Sequence, residues 1–270
     1  MKQILFSILA AATIVACSRN AITGRSQFKL LPESQLQSMA SQQYQEFLST
    51  NRVVSSSSNR DAEMVSRVGN RISNAVTNYF NSKGLSKSLE GYEWEYHLVD
   101  NKAANAWCMP GGKIVVYTGL LPYTKNEAAL AVVLGHEVSH AVLQHGNERM
   151  SQMLGAELVG AGLQVALSQK PQETQNAFLT AFGLGSQVGL LLPYARKHEY
   201  EADHYGLIWA AMAGYNPQEA IPLWERMAAA SQNSSRPPEF LSDHPVESSR
   251  IQKIKEWMPE ALGYYKPMGR

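Results

Sequence analysis

The chain has little cysteine, little net charge and no long apolar run. Its 270 residues hold two cysteines, Cys17 and Cys108. If Cys17 is consumed by modification, Cys108 has no intramolecular partner. That excludes an internal disulfide framework and leaves stability to the size of the core. Cys108 then reads as a small buried apolar residue. Lysine and arginine number 24 against 23 acidic residues, a formal net charge of +1. With no long basic run, nothing marks a face for nucleic acid. No internal repeat is visible, which argues against a solenoid. The longest apolar stretch, Ile4 to Ala16, is broken only by Ser7 and Thr13 and is too short to span a bilayer comfortably.

That stretch is nevertheless informative. It follows a positive start at Met1-Lys2 and ends in Ile14-Val15-Ala16-Cys17. A small residue directly before a cysteine, closing such a run, resembles a bacterial lipobox. The expectation is a signal peptide over 1–16, cleavage before Cys17, and acyl chains on Cys17 that anchor the protein to a membrane. Ser18 is compatible with sorting to the outer membrane, facing the periplasm of a bacterial cell envelope. Residues 17–32 are polar and aperiodic and read as a tether. At 44% hydrophobic content the remainder can bury one sizeable core, a domain over 33–258 followed by a tail over 259–270.

Within the domain, helical patterns run from Glu33 to about Leu48 and from Asp61 to Phe80, the second with Met64, Val65, Val68, Ile72, Val76 and Phe80 on one face. Tyr92 to Val99 reads as a strand. Pro110-Gly111-Gly112 reads as a turn before Ile114-Val115-Val116-Tyr117, within a hairpin or a strand leading to the next helix. A helix from Asn126, its N-cap, runs to about His145, with Gly146 as the stop. Residues 150–168 are apolar and rich in glycine and alanine, 169–175 read as a loop, and further helices are predicted over 176–190, 195–213, 217–231 and 245–257. The fold class is α+β: mostly helical, with one small sheet beside the 126–145 helix.

The chemistry sits in the middle of the 126–145 helix, at His136-Glu137-Val138-Ser139-His140. Positions four apart lie one above the other, so both imidazoles can face a single cation. Glu137 points about 100° away, within reach of a water on that cation. A zinc ion lowers the pKa of such a water toward neutrality, and Glu137 would take its proton and later deliver it to the leaving amine. The flanks, Ala128 to Leu134 and Ala141 to Leu143, are apolar, and burying two imidazoles and a carboxylate among them would be unfavourable without a partner.

Two histidines leave a tetrahedral site incomplete. A metzincin would need glycine at 143 and histidine at 146, which here are Leu143 and Gly146. His145 falls one residue short and reads as a cap on the helix C-terminus. The alternative is a glutamate on a later helix with an aspartate four residues on, as in Glu199-Tyr200-Glu201-Ala202-Asp203. Glu199 would ligate, and Asp203 would hold the far nitrogen of a ligating histidine. Glu201, on another face, is the second choice of ligand, and His198 and His204 read as solvated or salt-bridged positions.

These segments, with Arg196-Lys197-His198 leading into the second, resemble the gluzincin metallopeptidases of the CAAX-prenyl-protease and HtpX type, over roughly 60–255. Within that family the chain is similar to the membrane-attached branch of mitochondrial Oma-type and bacterial periplasmic lipoprotein peptidases. The resemblance implies a zincin-type domain, one zinc per chain, polypeptide substrates, and a substrate strand near Asn105, Gly111, Gly112 and Ile114 to which an extended peptide adds. It also implies a role for His244 beside Pro245 and Arg250, either as a donor to the oxyanion or as a further zinc ligand holding the enzyme latent. Two other readings remain open. One is a latent zinc-containing chaperone or assembly factor, with Met153 to Leu192 as a lid. The other is a deformylase-like hydrolase using Cys108 as ligand.

Overall fold

The computed structural model describes residues 17–157, 171–182, 192–232, 238–245 and 248–267. The predicted signal peptide lies outside them, as does much of the segment expected to form a lid. Among the described residues no helix is long and apolar enough to cross a membrane.

Four strands form the main sheet: β3 (Val53–Val54), β4 (Glu95–Val99), β5 (Ala106–Met109) and β6 (Lys113–Tyr117), in the order β3-β4-β6-β5. β5 and β6 form a hairpin, the first of the two readings left open, turned by Gly111 and Gly112 at φ 79° and 82°, a left-handed pair that only glycine adopts without strain. β4 pairs with β6 in parallel. Alternate residues feed two cores. Leu98, Ala106, Cys108, Ile114 and Val116 face one way. Val99, Trp107, Met109, Val115 and Tyr117 face the other. A strand covered on both faces must be apolar throughout, hence the unbroken Ile114-Val115-Val116-Tyr117.

One face packs on α1 (Glu33–Thr50), α4 (His145–Glu157) and α5 (Pro171–Ala181) through Leu36, Tyr44, Met150 and Phe178. The other packs on α2 (Arg60–Ser82) and α3 (Glu127–Val142). Behind these lie α6 (Leu192–Met212), α7 (Ala220–Gln232) and α8 (Ser248–Tyr264). The Asn59 side chain caps α2, and Leu85 N–H reaches back to Phe80 O at 2.8 Å to close its end around Gly84.

Several boundaries differ from the sequence reading. The 126–145 helix ends at Val142 rather than Gly146. Gln144 takes the left-handed turn at φ 58°, and a new helix starts at His145. α5 begins at Pro171, inside the expected loop, because proline suits a first helical position. α8 continues through Pro259 to Tyr264, since Met258 and Ala261 are buried in the core and repay the lost hydrogen bond; 259–264 is therefore helix rather than tail. Residues 17–32 do not hang free. β1 (Cys17–Arg19) and β2 (Ser26–Phe28) pair antiparallel. The Asn20 and Gln27 side-chain amides both donate to Leu143 O, at 3.0 and 2.8 Å, satisfying the end of α3.

Candidate metal centre

The site lies where α3 crosses α6, and two glycines let the helices meet. A Cβ on Gly135 would stand 2.6 Å from Gly206 O, and one on Gly206 would stand 2.8 Å from His136 N. This contact brings His136 and His140 opposite Glu199 and Asp203. Ser139, inside the motif, donates to Gly135 O and accepts from Trp209 Nε1, both at 2.8 Å, pinning the crossing from the other side.

Four buried side chains converge: His136, His140, Glu199 and His244. His136 Nε2 lies 3.1 Å from His140 Nε2, 3.2 Å from His244 Nδ1 and 3.3 Å from Glu199 Oε2. His140 Nε2 is 3.4 Å from Glu199 Oε1, and His244 Nδ1 is 3.0 Å from the same carboxylate. Metal–ligand bonds near 2.0–2.1 Å in a tetrahedron imply edges of about 3.3–3.4 Å. Nitrogen and carboxylate donors at nearly that mutual spacing are a donor set that fits zinc. Glu201, the second choice of ligand, stands outside this group. Cys108 is also outside it, and burial, then Glu137, keeps its thiol well above the ordinary range. A thiolate ligand of the deformylase kind is thus not assembled among the described residues.

The electrostatics suit ligation. Burial opposes the Glu199 charge, but His244 and Arg250 outweigh it and hold the carboxyl well below the ordinary range. Burial dominates at His140 and keeps the imidazole neutral. Asp203 Oδ1 lies 3.0 Å from His136 Nδ1, the ring nitrogen turned away from the cluster. Arg250, 2% exposed, donates from Nε and Nη2 to Asp203, both at 2.7 Å, and pairs with Glu199 at 3.0 Å. It therefore orders the carboxylates rather than facing the cavity, and it stacks over Trp224 at 4.5 Å.

Beside this cluster is a cavity of about 20 Å³, bounded in part by Asn105, Cys108, Glu137, His140, Phe182 and His244. That is space for about one water molecule. Glu137 Oε1 lies 3.4 Å from His244 Nε2. Asn105 stands at the head of β5, one of the two end strands of the sheet among the described residues. The other predicted substrate residues do not reach the cavity. Ile114 is fully buried in β6, which is paired on both edges, so no peptide can add there. Gly111 and Gly112 turn at the far end, against Gln37 and Trp94.

His145 is not a terminal cap. It is fully buried, with Nδ1 3.0 Å from His140 Nδ1 and Nε2 2.9 Å from Glu201 Oε2. His198 is also buried, 3.1 Å from Glu148, whereas His204 pairs near the surface with Glu260. A histidine five residues beyond His140 was the available signal for His145. For Arg25, which holds Glu148 and Glu201, the sequence carried none.

A family model described as "Peptidase family M48" matches residues 66–258. The chain is 36% identical over 206 residues to the mitochondrial metalloendopeptidase OMA1 of Schizosaccharomyces pombe, covering 74% of this chain and 59% of that protein. It is 32% identical over 183 residues to the beta-barrel assembly-enhancing protease of Escherichia coli K12, covering 65% of this chain and 37% of that protein. The OMA1 of Arabidopsis thaliana is 36% identical over 180 residues, 66% of this chain and 35% of its own length. The chain thus spans between about a third and three fifths of the length of these relatives.

Proposed function

The chain belongs to peptidase family M48, and from that premise we propose that it is a zinc-dependent endopeptidase cleaving unfolded or misassembled polypeptides of the cell envelope. The observation that carries this reading is the convergence of His136, His140 and Glu199 beside a water-sized cavity faced by Glu137. Zinc bound there would act as a Lewis acid on a water and on the scissile carbonyl. Glu137 takes the water proton on its carboxylate and returns it to the leaving amine. Asp203 accepts a hydrogen bond from His136 Nδ1–H and so presents Nε2 as the ligating atom. Arg250 keeps Asp203 and Glu199 ionised and in place. An extended substrate pairs with the outer edge of β5, entering past Asn105, and backbone pairing of this kind is tolerant of sequence.

His244 stands within the ligand set, and a cage of four protein ligands leaves no position for substrate. We read the described conformation as a latent one, with His244 in the fourth position and Phe182 beside the cavity. This favours the ligand role for His244 over the oxyanion donor, and it is the observation behind the alternative of a latent chaperone or assembly factor. Acyl chains on Cys17 would fix the protein to the outer membrane, facing the periplasm.

The test is Glu137→Gln. It should retain zinc and lose cleavage of an unfolded protein such as casein by about 100-fold or more. Unchanged cleavage removes Glu137 from the role of base. Full complementation in cells by the cleavage-dead variant favours the chaperone.

A further inference from the structure

The two imidazoles of the motif are oriented in different ways. His136 donates a hydrogen bond from Nδ1 to Asp203, within the expected constellation. His140 Nδ1 faces another imidazole nitrogen, His145 Nδ1, at 3.0 Å. Two ring nitrogens at that distance must share one hydrogen: two lone pairs would repel and two N–H groups would clash. His145 Nε2 lies 2.9 Å from a Glu201 oxygen, which can only accept, so the His145 hydrogen sits on Nε2 and its Nδ1 is bare. His140 therefore carries its hydrogen on Nδ1, and its Nε2 lone pair points at the ligand cluster.

Glu201 is held in turn. Arg25, between β1 and β2, donates to it from Nε at 2.7 Å and from Nη2 at 3.0 Å. The same guanidinium donates from Nη1 to Glu148 Oε1 at 2.7 Å. Its side chain is 10% exposed, so the planar fork is clamped between two carboxylates with little solvent. Glu148 holds His198, whose ring stacks on His145 at 4.4 Å with 12° between the planes. The hairpin is further tied to the end of α3 by Asn20 and Gln27 on Leu143 O.

We propose that the N-terminal hairpin is an integral part of the metal centre: Arg25 fixes Glu201, Glu201 fixes the tautomer and ring plane of His145, and His145 fixes His140 for ligation through Nε2. Arg25, Glu201 and His145 are positioning residues. The inference rests on the metal reading of the site and adds to it a dependence on residues 17–28. β1 begins at Cys17, the residue proposed to carry the anchor, so anchor and metal centre share one element.

The experiment is zinc affinity of the detergent-solubilised full chain, by competition with a chelator, with urea unfolding of each metal-free protein alongside. Arg25→Met and His145→Phe should bind zinc about 10- to 100-fold more weakly than wild type, the usual effect of removing a partner of a ligating histidine. Arg67→Met, which breaks the exposed pair with Glu127, should leave affinity unchanged. Glu201→Gln keeps an acceptor for His145 and should stay within about threefold, whereas Glu201→Leu should lose about tenfold or more. Wild-type affinity in both Arg25→Met and His145→Phe overturns the proposal. If those two unfold, the Glu201 pair decides, and equal affinity of the two Glu201 variants overturns it. A wild-type chain that binds no zinc overturns the metal reading itself, a distinct result.

Discussion

Gly135→Ala tests whether the crossing of α3 and α6 builds the site. The added Cβ would stand 2.6 Å from Gly206 O, where ordinary contact begins at 3.4 Å. The shortfall, 3.4 minus 2.6, is 0.8 Å. The obstacle is backbone, so no rotamer change relieves it, and the helices must separate or slide by about that distance. Overpacking of this kind costs about 1–3 kcal/mol, while alanine in place of helical glycine gains up to about 1 kcal/mol. The balance is a net loss near 1 kcal/mol. The larger effect falls on the ligands, since a site tolerates only about 0.5 Å of displacement and His136 follows Gly135 directly. Zinc affinity should therefore drop by about tenfold or more, with a modest fall in the urea midpoint. Gly263→Ala is the control: nothing lies within 4 Å of its added Cβ, so stability should hold or rise slightly and zinc binding should not change. If Gly135→Ala proves as stable as wild type and binds zinc equally well, the glycine contact does not position the ligands.

Three other outcomes follow from the same geometry. His244→Ala should open the fourth position and raise cleavage of unfolded substrate severalfold while weakening zinc binding; a fall in turnover with zinc retained would restore His244 to the oxyanion role. Arg250→Met leaves Asp203 and Glu199 buried without their cation and should cost about 3–5 kcal/mol in urea unfolding of the metal-free protein; a loss below 1 kcal/mol would mean the carboxylates have other support. Acid should destabilise the metal-free fold. Burial would raise the Glu148 carboxyl, but His198 and Arg25 outweigh it and take it down to about 2, and burial lowers His198 from its free value near 6.5. Both groups bind protons more readily when unfolded, so their contribution is complete above about pH 6.5 and disappears as the pH falls toward 2. Glu148→Gln should flatten the acid limb of a stability–pH curve, and an unchanged slope would remove Glu148 from the account.

The parts of this centre legible in the sequence are those joined by helical spacing. His136 and His140, and Glu199 and Asp203, announce themselves because four residues make one side of a helix, and apolar flanks imply burial that demands a partner. What spacing does not carry is the pairing of polar groups between segments far apart. Arg25 meets Glu148 across 123 residues and Glu201 across 176, so residues 17–32 read as a tether although they are clamped to the body. The same blindness turned His145 into a cap. Its position near the end of the predicted helix was visible, but the turn at Gln144 that starts a new helix and swings the ring back toward His140 was not. Nor does a twofold alternation say which strand ends a sheet: Ile114 and Cys108 look alike as apolar strand residues, and only the order β4-β6-β5 leaves the strand of Cys108, beside the cavity, paired on one edge alone among the described residues. The glycines are intermediate. Gly135 sits in the middle of a strong helix, where it is unfavourable unless something needs the space, and Gly206 has the same oddity on α6. A helical glycine next to such a motif is thus a readable sign that another backbone crosses there, and here that backbone brings Glu199 opposite the two histidines.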